Sequence, residues 1–240
     1  LMRYVLMDST DPENSKILYI LPLTCIFLIP TLHRTVMPER FVEHYGGGTW
    51  FKAAFLHTFT FLALSFLLVN PPFGDIAAPE LASKWTVVAD DGEELAYPHS
   101  MATSGATLTW YTEGSPILEG EAWLLFGLMD NVNSDGAVVE VTREYQANET
   151  IREDNISYWN SNAERIANGT STSNKSAPNL TPHGDLDQPF SVYLGTDLEE
   201  GTHKIVVKIT EEGDPWENVQ RYTWNLVISS ESAVQDSMSE

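Results

Sequence analysis

The sequence predicts two transmembrane α-helices followed by an all-β antiparallel sandwich, and three observations predict it. Two apolar runs lie within residues 1–70. Beyond them, seven short runs rich in Val, Thr and aromatic residues are separated by Gly-containing turns. Charge divides the same way: residues 1–74 balance five acids against five bases, so the remaining 166 residues carry the entire formal charge of −21.

The first expected span is ILYILPLTCIFLIPTL, residues 17–32, which is uncharged but short and interrupted by Pro22 and Pro30. A hydrocarbon core needs about 20 helical residues, so flanking polar residues must complete it. The preceding segment 1–16 carries Asp8, Asp11 and Glu13 instead of a basic cluster, and no small-residue cleavage signature follows, so a retained span is expected rather than a signal peptide. The second span, 51–69, follows Trp50 and ends at Asn70-Pro71-Pro72, where proline stops a helix. Its one ionisable residue well inside the apolar run is His57, a candidate intramembrane functional residue. A snorkelling side chain, or one bonded to Thr60 or a backbone carbonyl, is the plainer reading. Cys25 is the only cysteine, so no intrachain disulfide can form.

Two spans place both ends of the chain on one side of the membrane. The loop 33–50 holds Arg34 and Arg40, with Lys52 at its edge, which favours a cytoplasmic loop. The N-terminal segment and the C-terminal domain are then outside. A Pro-rich connection, 70–82, leads into the domain at 83–230, and a polar tail, 231–240, closes the chain. With 29 acids against eight bases after residue 74, this domain is a poor partner for nucleic acid, whose phosphates need clustered Lys and Arg. Such a surface suits solubility at high salt, as in a halophilic or marine microbe, and equally an ordinary acidic ectodomain.

The seven expected strands are 85–90, 106–113, 122–129, 137–145, 189–195, 203–210 and 221–229. In HKIVVKIT, Ile205, Val207 and Ile209 face one way and Lys204, Val206 and Lys208 the other. Trp85, Trp110, Trp123 and Trp224 supply the bulk a disulfide-free core requires. The stretch TDLEEGTHKIVVKITEEG followed by RYTWNLVIS resembles the two closing strands of immunoglobulin-like extracellular modules. That resemblance implies a sandwich in which Leu198 plugs the core below a turn. It also puts His203 where the family often has a corner tyrosine.

Candidate chemistry is sparse. DNVNSDG, 130–136, offers Asn131, Asn133, Asp135 and Gly136 in calcium-loop spacing, but position 12 falls on Thr142, and a hairpin turn is the better reading. HGDLDQ places His183, Asp185 and Asp187 on alternate residues, so an extended segment would aim all three one way, yet no further ligand converges. DDGEE, 90–94, reads as a solvated turn. Ser115 or Ser191 could pair with His99, His183 or His203, but no nucleophile elbow singles out a set. Gly46-Gly47-Gly48 lacks the strand and the Lys-Ser/Thr of a phosphate loop. No catalytic residue, metal or cofactor is therefore expected.

What stands out is the insertion 146–188. Asn148, Asn155, Asn168, Asn174 and Asn179 each head an Asn-x-Ser/Thr triplet, the acceptor for N-glycans, all within 32 residues. N-glycans are added only on the outer face, so these sites support the outside placement. Ile156, Tyr158 and Trp159 could pack back and tether the insertion. The sequence thus leads us to expect a non-enzymatic membrane-anchored accessory or scaffold subunit in the cell membrane. Its partners are the lipid bilayer and other membrane-protein subunits, such as a transport or protein-export complex. One alternative is a surface module binding a ligand or envelope polymer. The other is a membrane-anchored hydrolase or metal enzyme using His183 and its acidic neighbours, Asp185 and Asp187.

Overall fold

The computed structural model describes residues 24–70, 72–75, 77–130, 136–146, 148–153, 156–171, 173–214 and 217–231. The chain divides into two compact units. The first contains residues up to 76 together with 213–218, and the second contains 77–212 and the residues from 219 onward.

The first unit is helical. A 3-10 turn, Cys25–Leu28, runs into α1 (Ile29–Val36), with Pro30 in the first turn, where its missing N–H costs nothing. A short α2 (Glu39–Val42) precedes α3 (Gly47–Val69), which Gly46 caps in extended conformation. Asn70 turns extended after Val69, and its amide Nδ2 donates to the open carbonyl of Phe66 at 2.7 Å. An aromatic knot joins α1 to α3: Tyr45 meets Trp50 edge-on at 5.3 Å, and His33 lies 5.9 Å from each ring. Asp75 and Asp214 exchange backbone hydrogen bonds of 3.0 and 2.9 Å.

Among the described residues, α3 alone is long and apolar enough to cross a membrane. It begins at Gly47, earlier than expected. Residues 17–23 of the other expected span lie outside the described residues. The remainder of that span does not stop at residue 32, because α1 continues through Arg34 to Val36. The expected loop 33–50 is itself largely helical.

The second unit is β-rich. Its strands are β1 (Glu80–Asp90), β2 (Leu95–Tyr97), β3 (Thr107–Tyr111), β4 (Ile117–Met129), β5 (Val138–Tyr145), β6 (Asn148–Glu153), β7 (Thr170–Ser171), β8 (Gln188–Glu199), β9 (Gly201–Glu211) and β10 (Asn218–Ser229). They form two five-stranded sheets, β7-β2-β1-β4-β8 and β3-β10-β9-β5-β6. All seven expected strands are present. The sheets are mixed, however, not wholly antiparallel: β3 runs parallel to β10, and β2 parallel to β7. Parallel pairing arises because β3 and β10 are joined through the other sheet, not by a hairpin. For the same reason DNVNSDG cannot be a hairpin turn. Its residues 131–135 lie outside the described residues, but β4 and β5 on either side belong to different sheets.

The two sheets share one core. Trp85, Val87, Leu124, Phe126 and Leu194 from the first meet Leu108, Val141, Ile205, Val207 and Leu226 from the second. The indoles of Trp85 and Trp224 stack across the sheets at 4.7 Å, and Leu198 is buried in the same cluster, as the resemblance implies. In β9 the alternation holds, with Ile205, Val207 and Ile209 inward. The first sheet behaves differently. Residues 85–90 and 122–128 are buried without interruption, so both faces of the sheet are covered. Trp85, Val87, Leu124 and Phe126 go to the shared core, while Val88, Trp123 and Leu125 enter a second cluster on the outer face.

Candidate functional site

That outer face is covered by α4 (Ile156–Asn168), a helix within the stretch expected to be an insertion between strands. The insertion is therefore structured. Its first part extends the second sheet as β6, its middle is α4, and β7 pairs with β2 on the first sheet. Tyr158, Trp159 and Ile166 pack into the second cluster beside Tyr97, Trp123 and Leu180, so Tyr158 and Trp159 tether the segment as expected. The side chain of Ile156 lies outside the described set. Asn162 Nδ2 donates to the Tyr158 carbonyl at 3.0 Å, and Arg165 Nη1 donates to Asn162 Oδ1 at 2.8 Å, which stiffens the polar edge of the helix. Gly169 follows it, and only glycine fits there, because a Cβ would run into the Tyr97 ring. The Tyr97 hydroxyl in turn donates to the Ile166 carbonyl at 2.9 Å.

Polar chemistry on this face converges on Asp90. Arg165 donates to its two oxygens at 2.9 and 3.2 Å, the Tyr158 hydroxyl donates at 2.8 Å, and the Gly92 amide at 2.9 Å. Burial raises the Asp90 pKa, but the hydrogen bonds from Arg165, Gly92 and Tyr158, with the guanidinium charge, more than offset it and leave the carboxyl below its ordinary value. Burial, and then the bond to Asp90, pushes the Tyr158 phenol upward, so it stays a neutral donor. The DDGEE segment therefore splits. Asp91 is the exposed turn residue that accepts the Glu93 and Glu94 amides, whereas Asp90 is an 8 % exposed anchor and not part of a solvated turn. With its oxygens so engaged, Asp90 holds a helix in place; it is not a free base. Trp123 completes the platform, stacked on Tyr158 at 3.7 Å and tilted against Tyr193 at 5.3 Å.

Beside α4 lies a groove of about 310 Å³, bounded by Trp159 and Ala163 on the helix and by residues 177–181 opposite. Segment 177–181 crosses β4 closely, since a Cβ on Gly127 would lie 2.3 Å from the Leu180 carbonyl. Three expected acceptor asparagines belong to this region. Asn168 ends α4, Asn174 sits in a tight turn with φ of 57°, and Asn179 borders the groove; all three are exposed. Asn148 opens β6, its side chain outside the described set, and Asn155 lies outside the described residues.

The remaining candidates disperse. His183, Asp185 and Asp187 do not form an extended row, because Gly184 has φ of 61° and begins a 3-10 turn through Leu186. His183 Nδ1 lies 3.0 Å from the buried Asp187 carboxylate, which also accepts the His183 amide at 2.7 Å, while Asp185 faces solvent. His57 is half-buried within α3. Gly46 to Gly48 form the start of α3 and not a phosphate cradle.

His203 is fully buried and takes a structural place. Its Nε2 donates to the Glu199 carbonyl at 2.8 Å, its Nδ1 accepts from Arg143 at 3.2 Å, and its ring stacks on Tyr145 at 4.1 Å. Both ring nitrogens are thus occupied, and neither can activate Ser115 or Ser191. Burial lowers the His203 pKa, and the adjacent Arg143 charge lowers it further, against the Glu199 carbonyl and carboxylate. The unfolded chain binds a proton there near pH 6.5 and the folded chain does not. Stability is therefore full above that pH and declines as pH falls from it toward the folded value. Urea midpoints of the full chain should drop between pH 7.5 and 5, and His203→Gln should flatten that slope. An unchanged slope would remove His203 as its source.

The chain matches no protein-family model and no curated protein.

Proposed function

We propose that this chain is a membrane-anchored, non-enzymatic accessory subunit that presents an acidic β-rich body outside the cell to a larger membrane assembly. The observation that carries this reading is α3. It has 23 residues, and Phe51, Phe55, Phe59 and Phe66 are each more than 60 % exposed, so its apolar surface is left for lipid or for another protein's helices. Three polar groups that the sequence offered for chemistry hold structure instead: Asp90 anchors α4, His203 bonds a strand corner, and His183 staples a turn.

In this proposal the chain crosses the membrane twice, through 17–32 and α3, with 33–50 on the cytoplasmic side. The body belongs to the immunoglobulin-like sandwiches. Three features support that affinity. The connections β3 to β4, β4 to β5 and β8 to β9 each pass between sheets, β3 runs parallel to the last strand, and β9 and β10 are neighbours. His203 serves the corner that a tyrosine fills in the family, bonding to the backbone four residues upstream.

Extraction of native membranes in mild detergent, followed by native mass spectrometry, tests the assignment. The chain should elute with at least one further membrane polypeptide in fixed ratio. A lone monomer under conditions that keep other membrane complexes intact would count decisively against it.

A further inference from the structure

The five acceptor triplets look alike in sequence, but the three described in full, at Asn168, Asn174 and Asn179, differ in structure. Asn179 is exposed, but the next residue, Leu180, is 3 % exposed and packs in the cluster under α4. The Asn-Leu-Thr triplet is thus pinned to the body while its asparagine side chain remains accessible. The groove starts at that residue, and its walls include Trp159, Ala163, Ala167, Ala177, Pro178 and Thr181, so one large aromatic face lies beside a surface that is polar and apolar in nearly equal parts. At about 310 Å³ it matches the lower end of the range for small-ligand sites. Neither Asn168 nor Asn174 borders it.

We propose that Asn179 carries an N-linked glycan whose first sugar lies in this groove against the indole of Trp159. The C–H face of a pyranose is apolar and weakly positive at its hydrogens, which complements the negative face of an indole. Its hydroxyl edge stays in water. A covalent occupant tethered at the groove's rim loses little further freedom on seating, so a shallow site is enough to hold it. In the attachment step Asn179 Nδ2 bonds to the anomeric carbon of an oligosaccharide carried on a lipid phosphate or pyrophosphate. The bond from that carbon to the phosphate oxygen breaks, the phosphate leaves with the electron pair, and the amide nitrogen releases one proton to solvent. No electron transfer is involved. The inference rests on the outside placement of the body, where such transfer occurs.

Full-length protein purified from membranes of its own host provides the test, by glycopeptide mapping and by amide hydrogen exchange. The peptide bearing Asn179 should carry sugar mass. Asn179→Gln should accelerate exchange in residues 156–168 and 177–181 by roughly fivefold, the loss expected for a few tens of Å² of apolar cover. Asn174→Gln should leave both segments unchanged. Ala163→Arg, which alters an exposed position on the groove wall, should retain the sugar mass and accelerate exchange in 177–181. Sugar at Asn168 or Asn174 with none at Asn179 overturns the proposal and leaves the membrane reading standing. Sugar at Asn179 without any change on Asn179→Gln overturns the seating, as does a free envelope polysaccharide retained by Asn179→Gln protein. Bare asparagines at all five positions, in a body that external protease cannot reach, overturn both this proposal and the outside placement.

Discussion

Replacing Trp224 with alanine is expected to destabilise the β-rich unit by about 4 kcal/mol, the cost typical of deleting a buried indole. Trp224 is 3 % exposed and touches aromatic rings on both sides of the core. It stacks on Trp85 from the opposite sheet at 4.7 Å and 8°, meets Phe126 edge-on at 5.7 Å, and lies 5.5 Å from Tyr222 on its own strand. The chain has one cysteine, so no intrachain disulfide offsets the loss. The cavity also cannot collapse easily, because Trp85 is itself fixed by an Nε1–H bond to the Gly105 carbonyl at 2.8 Å. For a unit of this size the melting temperature should fall by roughly 10 °C, taking about 2–4 °C per kcal/mol. Trp224→Phe retains ring contact and should lose less than half as much. Thermal unfolding of the full chain in detergent, followed by near-ultraviolet dichroism, measures both. A loss below about 1 kcal/mol for Trp224→Ala would mean that the two sheets do not share the core described.

The same core shows what the sequence makes legible. Period-two alternation in HKIVVKIT placed Ile205, Val207 and Ile209 inward because β9 is covered on one face only. AWLLFGLM was recognisable as a strand, but its unbroken apolar run also signals a sheet covered on both faces. Read that way, it asks for a second layer, and α4 is that layer. The helix itself was hidden by composition. ISYWNSNAERIAN contains three asparagines and two serines, poor helix formers, and is framed by acceptor triplets that suggest a loop. Its signal was the spacing of Trp159, Ala163 and Ile166, with Tyr158, Asn162 and Arg165 alongside at helical intervals. Asp90 was missed for a related reason. A carboxylate beside Asp91-Gly92 looks like turn chemistry, and its partner lies 75 residues further on, a separation that local pattern cannot bridge. Parallel pairing of β3 with β10 was equally invisible, since strand direction depends on which sheet each connection enters, not on the strand's own residues.

The last large effect should be local where the first is global. Asp90→Ala is expected to release α4 while leaving the shared core assembled. The substitution removes the acceptor for Arg165, for the Tyr158 hydroxyl and for the Gly92 amide at once, at an expected cost of about 2–4 kcal/mol to helix docking. Arg165→Ala should cost less, because the Arg165 side chain is 33 % exposed and water can take over part of its role, whereas Tyr158 and Gly92 still serve Asp90. A double-mutant cycle of the two should return a coupling of roughly 1–3 kcal/mol. The pH dependence separates this anchor from His203. Because the folded Asp90 carboxyl lies below its unfolded value of 3.8, its contribution is complete above that pH and is lost as pH falls through the folded value. Protection of the amides in 156–168, taken relative to their intrinsic exchange rate at each pH, should therefore fall in the wild type only below about pH 4. In Asp90→Ala it should already be low at neutral pH and show no such step. Trp224→Ala touches the opposite face of the first sheet and should lower the main transition before it frees the helix. Were Asp90→Ala to lower that transition as far as Trp224→Ala does, α4 would be part of the cooperative core and not a layer docked upon it.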